Sequence, residues 1–495
     1  MRLLIAFSLL AFIPCYTPFA QTLEMGEAMA LYEEHSESEL DALFRENHAT
    51  AGWWQGLPPL PNANTRMQRW HWFRHKPALP AIGGIPSFVQ LEHGAWLGDR
   101  FFLIAHPDSA QVYHDIRRKT RNWAKYYRLR DEADRTTTTW VDLSDLEIHE
   151  FPTWVLEFRN LKSLNLSGTH IRELPQDLAQ LDSLESLFLD NMAHADSLGV
   201  GKLPHLTFLS AKENEWDRLP LWVLRMPTLK EIDLSENQFT HIPNGIFWLW
   251  KLRSVQMDQN PLALEKQWLI GCHRLEKLRM NQCNLTYVPQ KIFRLTGLSE
   301  LQLSDNSLSE IPPYISRLKN LESLAYYKNQ ISTLPPEFYD LEKLKVVDLF
   351  YNEIERISPR INELGQLRIL YLANNRIFDL PEEIADLDSL QELYLHHNRI
   401  SDLPNRFSSM DQLKVFHINN NYFMQFPEEI LGMTSLEDLD FSYNEIQEVP
   451  LAVTQLQGLR LLFLIDNPIP MDEPHLQPLK KSLESLQSKG VRVEF

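Results

Sequence analysis

The sequence predicts an α/β solenoid, with a parallel β-sheet on a concave face and short helices or 3-10 turns on a convex face. Three observations predict it. A 23-residue phrase, L-x-x-L-x-L-x-x-N-x-I-x-x-L-P-x-x-I-x-x-L-x-x, recurs with first places at 138, 161, 184, 206 and then every 23 residues to 459. Within each copy the L-x-L core alternates with period two, as a strand with one buried face does. After the strand, the L-P pair and apolar residues at three-residue spacing suit one or two helical turns. That makes fifteen copies, with a single 22-residue step between 184 and 206.

The chain opens with Arg2 and an apolar run from Leu3 to Ile13. The run is too short to span a bilayer and reads as a secretory signal peptide over residues 1–20, cut after Ala20. An uncleaved segment, or a lipid anchor at Cys15, is the alternative; Phe12, Ile13 and Pro14 fit an anchor poorly. Residues 21–137 have no period. Leu23 to Asn47 reads as a helix, Gly52 to Pro86 is rich in proline and aromatics, and Phe101 to Ile104 reads as a buried strand. Trp53, Trp54, Trp70, Trp72 and Phe73 fall in this segment. The first coil of a solenoid needs its open end covered, so 21–137 is expected to be an N-terminal cap. An enzyme in this segment is the alternative.

Over 138–470 each place has a physical role. Leu301 and Leu303, or Leu439 and Phe441, point inward, and the residues between them point onto the open sheet face. The ninth place is asparagine in eleven copies, from Asn214 to Asn467, where a carboxamide can satisfy backbone groups turning out of the sheet. Cys283 replaces it once, and Leu146, Thr169 and Met192 stand there in the first three copies. The proline is expected in the first turn of a helix, followed by triplets such as Pro335, Phe338, Leu341. No coil buries its own apolar stripe, so stacking stabilises all of them. The copies at 184 and 252 lack the L-P pair, and local bulges are expected there.

This phrase resembles the 23-residue class of leucine-rich repeats found in Ras-suppressor-type and plant intracellular Ras-group-related proteins. The resemblance covers about two thirds of the chain and implies a right-handed horseshoe. Arg66 to Pro77 loosely resembles segments near the start of secreted proteins from some Gram-negative bacteria. Ends without disulfides likewise resemble a bacterial secreted form, since many animal and plant relatives cap theirs with cystines. Beyond Cys15, the chain holds Cys272 and Cys283, too far apart in the pattern to bridge and expected as buried free thiols.

At the other end, over 471–495, Leu476, Leu479, Leu483 and Leu486 share one helical face, and Gly490 releases an alternating strand, Val491, Val493, Phe495. A C-terminal cap of helix plus one last strand is expected.

Charge bounds the partners. The net charge is −18. Residues 24–46 carry −7, residues 66–135 carry +6, and with Arg2 the repeats and tail hold the remaining −18. A field of that sign repels phosphate backbones, so no nucleic acid is expected on the solenoid. The basic run from Arg117 to Arg130, interleaved with Trp123, Tyr126 and Tyr127, reads as a helix leading into the first coil, although such rings can stack bases.

No motif of enzymatic chemistry occurs: no G-x-x-x-x-G-K-[ST], H-E-x-x-H, G-x-S-x-G or paired C-x-x-C. No catalytic residue, cofactor or metal is therefore expected. Function falls to the outward places, the third, fifth, seventh and eighth of each copy. Early copies place small or polar residues there, such as Ser163, Asn165, Asp233 and Gln302. From the copy at 321 the character changes to Tyr327, Phe350, Tyr351, Tyr371, Tyr394, His396, His417 and Tyr443, with His397 beside them. The fold requires no aromatic at these places, and rigid amphipathic rings are what recognition surfaces use. The expected function is non-enzymatic binding of a protein or peptide on the concave face, at a secreted, periplasmic or cell-surface location. Glycan binding on the same face, or aromatic pairing that only stabilises the sheet, are the alternatives. His396, His417 and Asp440 offer a weak candidate for zinc. On the outer face, Trp222, Phe247, Trp248 and Trp250 are either contact residues or packed into neighbouring coils.

Overall fold

Leucine at the first, fourth and sixth places of each copy has no buried partner within its own coil, so the chain must wind those places onto a common axis. A computed structural model shows how. It describes the strands at 22–24, 70–74, 88–91, 94–97 and 100–104, residues 125–126, and 128–495 apart from 193–199, 264–273, 471–472 and 489. Residues 1–20, most of the tryptophan-rich stretch, Trp123, Tyr127 and Cys272 lie outside the described residues. The chain divides into two compact units, Met1–Asn214 and Glu215–Phe495.

In the first unit, five short strands form a mixed sheet in the order 22–24, 70–74, 100–104, 94–97, 88–91, the first pair parallel and the rest antiparallel. The strand Arg100–Ile104 agrees with the expected one. Thr22–Glu24 corrects the helix expected from Leu23: these residues pair with Trp72, Phe73 and Arg74, and sheet pairing overrides local helix propensity. The rest of that expected helix lies outside the described residues. Residues 128–131 are helical, and from Trp140 four parallel strands, 140–142, 163–165, 186–188 and 208–210, pair in register.

The second unit holds twelve parallel strands, from Glu231–Asp233 to Arg492–Glu494, each three residues long. Register follows the period: Leu370 pairs with Leu393, Leu393 with Phe416, Phe416 with Leu439. These residues and the sixth-place Leu372, Leu395, Ile418 and Phe441 are buried. In both units the coil is the right-handed parallel solenoid, with strands on one face and 3-10 turns on the other.

The 3-10 turns show where in the first turn the L-P proline sits. The L-P proline caps the turn from an extended conformation and does not sit at its first position: Pro381 has φ −71° and ψ 149°, and its carbonyl accepts from Ile384 N–H at 3.1 Å. An i to i+3 bond needs only one turn, which is all a 23-residue coil has room for. Where prolines are doubled, the second takes the first turn, as at Pro313 and Pro336.

The asparagine ladder joins coil to coil. Asn398 Oδ1 accepts from Ile377 N–H in the preceding coil at 2.9 Å, and its Nδ2 donates to the carbonyls of Leu372 and Leu395. Asn329, Asn352, Asn375 and Asn421 repeat this pattern. Cys283 does the donor half, its thiol lying 3.1 Å from the Met257 carbonyl, and burial pushes that thiol up to about 12. In the early copies Thr169 Oγ1 donates to Leu166 O, while Leu146 and Met192 fill the place with apolar volume.

Immediately before the ladder, the eighth place turns left-handed in every described copy. Positive φ values run through Asp145, Gly168, Asn191 and Glu213 in the first unit. They continue through Glu236, Asp305, Tyr351, His397 and Tyr443 in the second.

Residues 473–495 form a 3-10 turn, a helix from Gln477 to Ser488 and a last strand. Leu476, Leu479, Leu483 and Leu486 are buried, Gly490 adopts φ +93°, and Arg492–Glu494 pairs with Leu461–Phe463. Among the described residues no helix is long and apolar enough to cross a membrane.

Candidate functional site

Period-two alternation turns the third, fifth and seventh places of the second unit onto one open face, and parallel register lines them into rows. The fifth-place row runs Asp348, Tyr371, Tyr394, His417, Asp440, Phe463, each the direct partner of the next. Tyr371 and Tyr394 stack at 4.8 Å with planes 12° apart, and His417 meets Tyr394 edge-on at 5.1 Å. The seventh- and eighth-place rings form a second group. Tyr327 lies 5.7 Å from Phe350, Phe350 lies 4.5 Å from Tyr351, and His396 joins them 5.4 Å from Phe350. His396 also lies 6.5 Å from Tyr394 and 6.4 Å from His417, so the two groups form one lattice.

The structure thus brings together seven of the eight candidate residues. Tyr443, 51% exposed, takes no part in these ring contacts and leans on Asp466 instead, which raises its hydroxyl pKa. Tyr327, Phe350, Tyr371, Tyr394, His396 and His417 are half-buried, and Tyr351 is 48% exposed. None of the eight belongs to the apolar core.

Carboxylates flank the rings. Tyr394 donates its hydroxyl to Glu392 Oε2 at 2.9 Å; burial and that carboxylate raise its pKa. Burial, then Glu392 and Asp348, raise Tyr371, and burial raises Asp348 itself. Burial, with His397 and His417 beside it, pulls the His396 imidazole down to about 4, so it is neutral near pH 7.

Four buried polar atoms here lack a hydrogen-bond partner within the chain: His396 Nδ1, His417 Nε2, Asp438 Oδ1 and Ser442 Oγ. His417 Nε2 and Asp438 Oδ1 lie 3.1 Å apart but off the hydrogen-bond direction, so neither completes the bond. Native chains pair almost all such atoms, with protein or with ordered water. The polar copies before 321 are largely paired, although Arg279 Nε on the same face also lacks a hydrogen-bond partner. There Asp233 accepts from Ser235, Gln302 donates to Glu300, and Asn281 bridges to Ser304 and Gln302.

The zinc expectation gains no support from this geometry, because His417 turns toward Asp438 and not toward Asp440. Among the described residues no group of three histidine, cysteine or acidic side chains could hold a metal ion. Two features escaped sequence reasoning. Asp438 is a third-place residue whose diagonal reach to His417 the row pattern does not disclose. Tyr326 stands at a sixth-place core position, fully buried, with an unpaired hydroxyl.

The basic run resolves as a lead into the first coil where it is described. Tyr126 is buried edge-on against Trp154 and accepts from its indole N–H at 3.1 Å, so it offers no base a stacking surface. Lys125 pairs with Asp142, and Arg130 with Asp131. On the outer face Trp222 is buried edge-on to Trp216, which settles it as packing. Trp248 and Trp250 are exposed, and the side chain of Phe247 lies outside the described residues. The described parts of the copies at 184 and 252, where local bulges are expected, keep the pattern; residues 193–199 and 264–273 lie outside the described residues.

Comparison with known proteins agrees with this architecture. A model described as "Leucine-rich repeat region" matches residues 351–491, and one described as "BspA type Leucine rich repeat region (6 copies)" matches 225–359. A single "Leucine Rich Repeat" matches 160–181. Leucine-rich repeat-containing protein 10 of Mus musculus is 48% identical over 50 residues, 10% of this chain and 18% of that protein. Its Homo sapiens counterpart is 40% identical over 63 residues, 13% of this chain and 23% of that protein. The matches therefore span about a fifth of the length of these curated relatives. A leucine-rich-repeat protein of Leptospira interrogans is 27% identical, with a TM-score of 0.62, covering 75% of this chain and 98% of its own. A chain of the Toll–Spatzle complex of Drosophila, 23% identical with a TM-score of 0.54, covers 66% of this chain and 47% of its own, and shares the fold.

Proposed function

We propose that this leucine-rich-repeat solenoid protein is a non-enzymatic recognition protein that binds a protein or peptide on the concave face of its sheet. The contact centres on the lattice from Tyr327 to His417, with Tyr443 at its edge. One observation carries this: seven outward rings touch one another around unpaired buried polar atoms, on a face where the core needs none of them. The similar chain from the Toll–Spatzle complex comes from a protein–protein assembly, which is in keeping with this reading.

The finer assignments belong to the same proposal. Residues 1–20 act as a signal peptide for a secreted, periplasmic or cell-surface protein of the 23-residue L-P class, bacterial in origin. The likeness to the Leptospira interrogans protein along nearly its whole length supports that origin. Residues 21–137 serve as an N-terminal cap and 471–495 as a C-terminal one, around a solenoid over 138–470.

The test is a displayed peptide library selected against the full chain and counter-selected against a Tyr371→Ala, Tyr394→Ala, His417→Ala variant. Peptides that bind the first and not the second support the proposal. Binding that survives the triple substitution places recognition elsewhere, and binders found only on a glycan array reassign the face to sugars.

A further inference from the structure

The chemistry of the lattice narrows its partner further; this inference rests on the recognition reading above. Six successive copies, from 344 to 459, place twenty-four residues outward at the third, fifth, seventh and eighth places. Five of these are carboxylates, Asp348, Glu392, Asp438, Asp440 and Asp466, and none is lysine or arginine. Earlier copies do put cations on this face, at Lys277, Arg279 and Lys328. Carboxylates occur along the whole face, so what distinguishes the copies from 344 onward is that they keep acids and drop lysine and arginine.

The acids bracket the rings. Asp348 and Asp440 close the two ends of the fifth-place run Tyr371, Tyr394, His417, while Glu392 and Asp438 lie along the third-place row beside it. Cations do occur at the strand edge, in second places, and two of them are already held: Lys414 at 3.6 Å and Arg460 at 3.2 Å from Glu437. Asp438 Oδ1 is an acceptor that receives no hydrogen bond from the chain. Over these six copies the face carries carboxylates without lysine or arginine and presents half-exposed aromatic rings. A guanidinium supplies five donors and a delocalised cation that stacks on tyrosine.

We infer that the aromatic lattice binds an arginine-bearing extended peptide, with the guanidinium seated between the Tyr371–Tyr394 stack and the Glu392 and Asp438 carboxylates. Charge complementarity selects the occupant: a neutral or acidic segment gives Glu392 and Asp438 no cation, leaving them only the Tyr394 hydroxyl and the nearby His417 ring. Lysine binds less tightly, since an ammonium is a point charge without a stacking plane.

The probe is a fluorescein-labelled ten-residue peptide of glycine, serine and arginine, titrated into the full chain by anisotropy. Its twin carries citrulline in place of arginine, neutral and of nearly the same shape. The arginine peptide is expected to bind about tenfold tighter than the citrulline peptide, with affinity falling as salt rises. A Glu392→Gln, Asp438→Asn variant of unchanged melting temperature is expected to reduce that ratio to about twofold.

Equal binding of the two peptides overturns the inference. So does a library selection that enriches peptides dependent on Tyr371 and Tyr394 but free of basic residues, and that outcome leaves the recognition reading standing. Absence of any peptide binder on this face overturns both.

Discussion

Tyr371 and Tyr394 are direct partners on adjacent parallel strands, and their rings stack 4.8 Å apart while both remain half-exposed. A cross-strand aromatic pair contributes on the order of 1 kcal/mol to a sheet. Twelve strands and a continuous core stabilise the unit that carries it, so the pair contributes little to the total. In the Tyr371→Ala, Tyr394→Ala, His417→Ala variant, calorimetry is expected to show a melting temperature lowered by only a few degrees. Early, broad unfolding instead would make the cluster structural.

The asparagine ladder behaves in the opposite way. Asn398→Ala leaves Ile377 N–H and the carbonyls of Leu372 and Leu395 without their partner in a buried site. A loss of about 3 kcal/mol is expected in urea denaturation, with the exposed face untouched.

His396 ties stability to pH. Its folded pKa of about 4 lies below the ordinary histidine value, so the imidazole stays neutral in the fold while the unfolded chain takes up a proton. The contribution is fully present above about pH 6.5 and is lost as pH falls from there through 4. A His396→Gln variant is expected to show a shallower fall of melting temperature between pH 7 and 4.5 than the parent. Parallel curves would count against a buried neutral imidazole.

Cys283 should be chemically silent. Its thiol is buried, and raised to about 12, with its hydrogen directed at the Met257 carbonyl. Iodoacetamide at pH 8 is expected to leave this residue unmodified by mass spectrometry in the folded chain, and to modify it in urea.

The fold was legible because a 23-residue period determines which side chains must meet: Leu370, Leu393 and Phe416 stack in the core for the same reason that they recur. The outward rows were legible too, since alternation assigns Tyr371, Tyr394 and His417 to one face without any coordinates. What periodicity does not determine is how side chains lean between rows. The diagonal approach of His417 to Asp438 depends on rotamers, and so does the edge contact of Phe350 with His396. Nor does it say where a large ring is absorbed: Trp222 packs on Trp216, while Trp248, four residues after the next coil's Pro243 cap begins its turn region, stays in solvent. Nor does the period choose between a short helix and the single 3-10 turn that each coil uses, with the proline as its cap.

The left-handed turn at the eighth place sets a direction for selection and engineering. That conformation suits glycine, asparagine and aspartate, and burdens bulky side chains by roughly 1 kcal/mol or more each. Gly168, Asn191 and Asp305 follow this preference, whereas Tyr351, His397 and Tyr443 hold large rings against it. Replacing those three by asparagine is expected to raise the melting temperature while erasing part of the surface ligands would meet, a variant that is sturdier and less discriminating. Thermal scans and peptide titrations on the same protein separate the two effects.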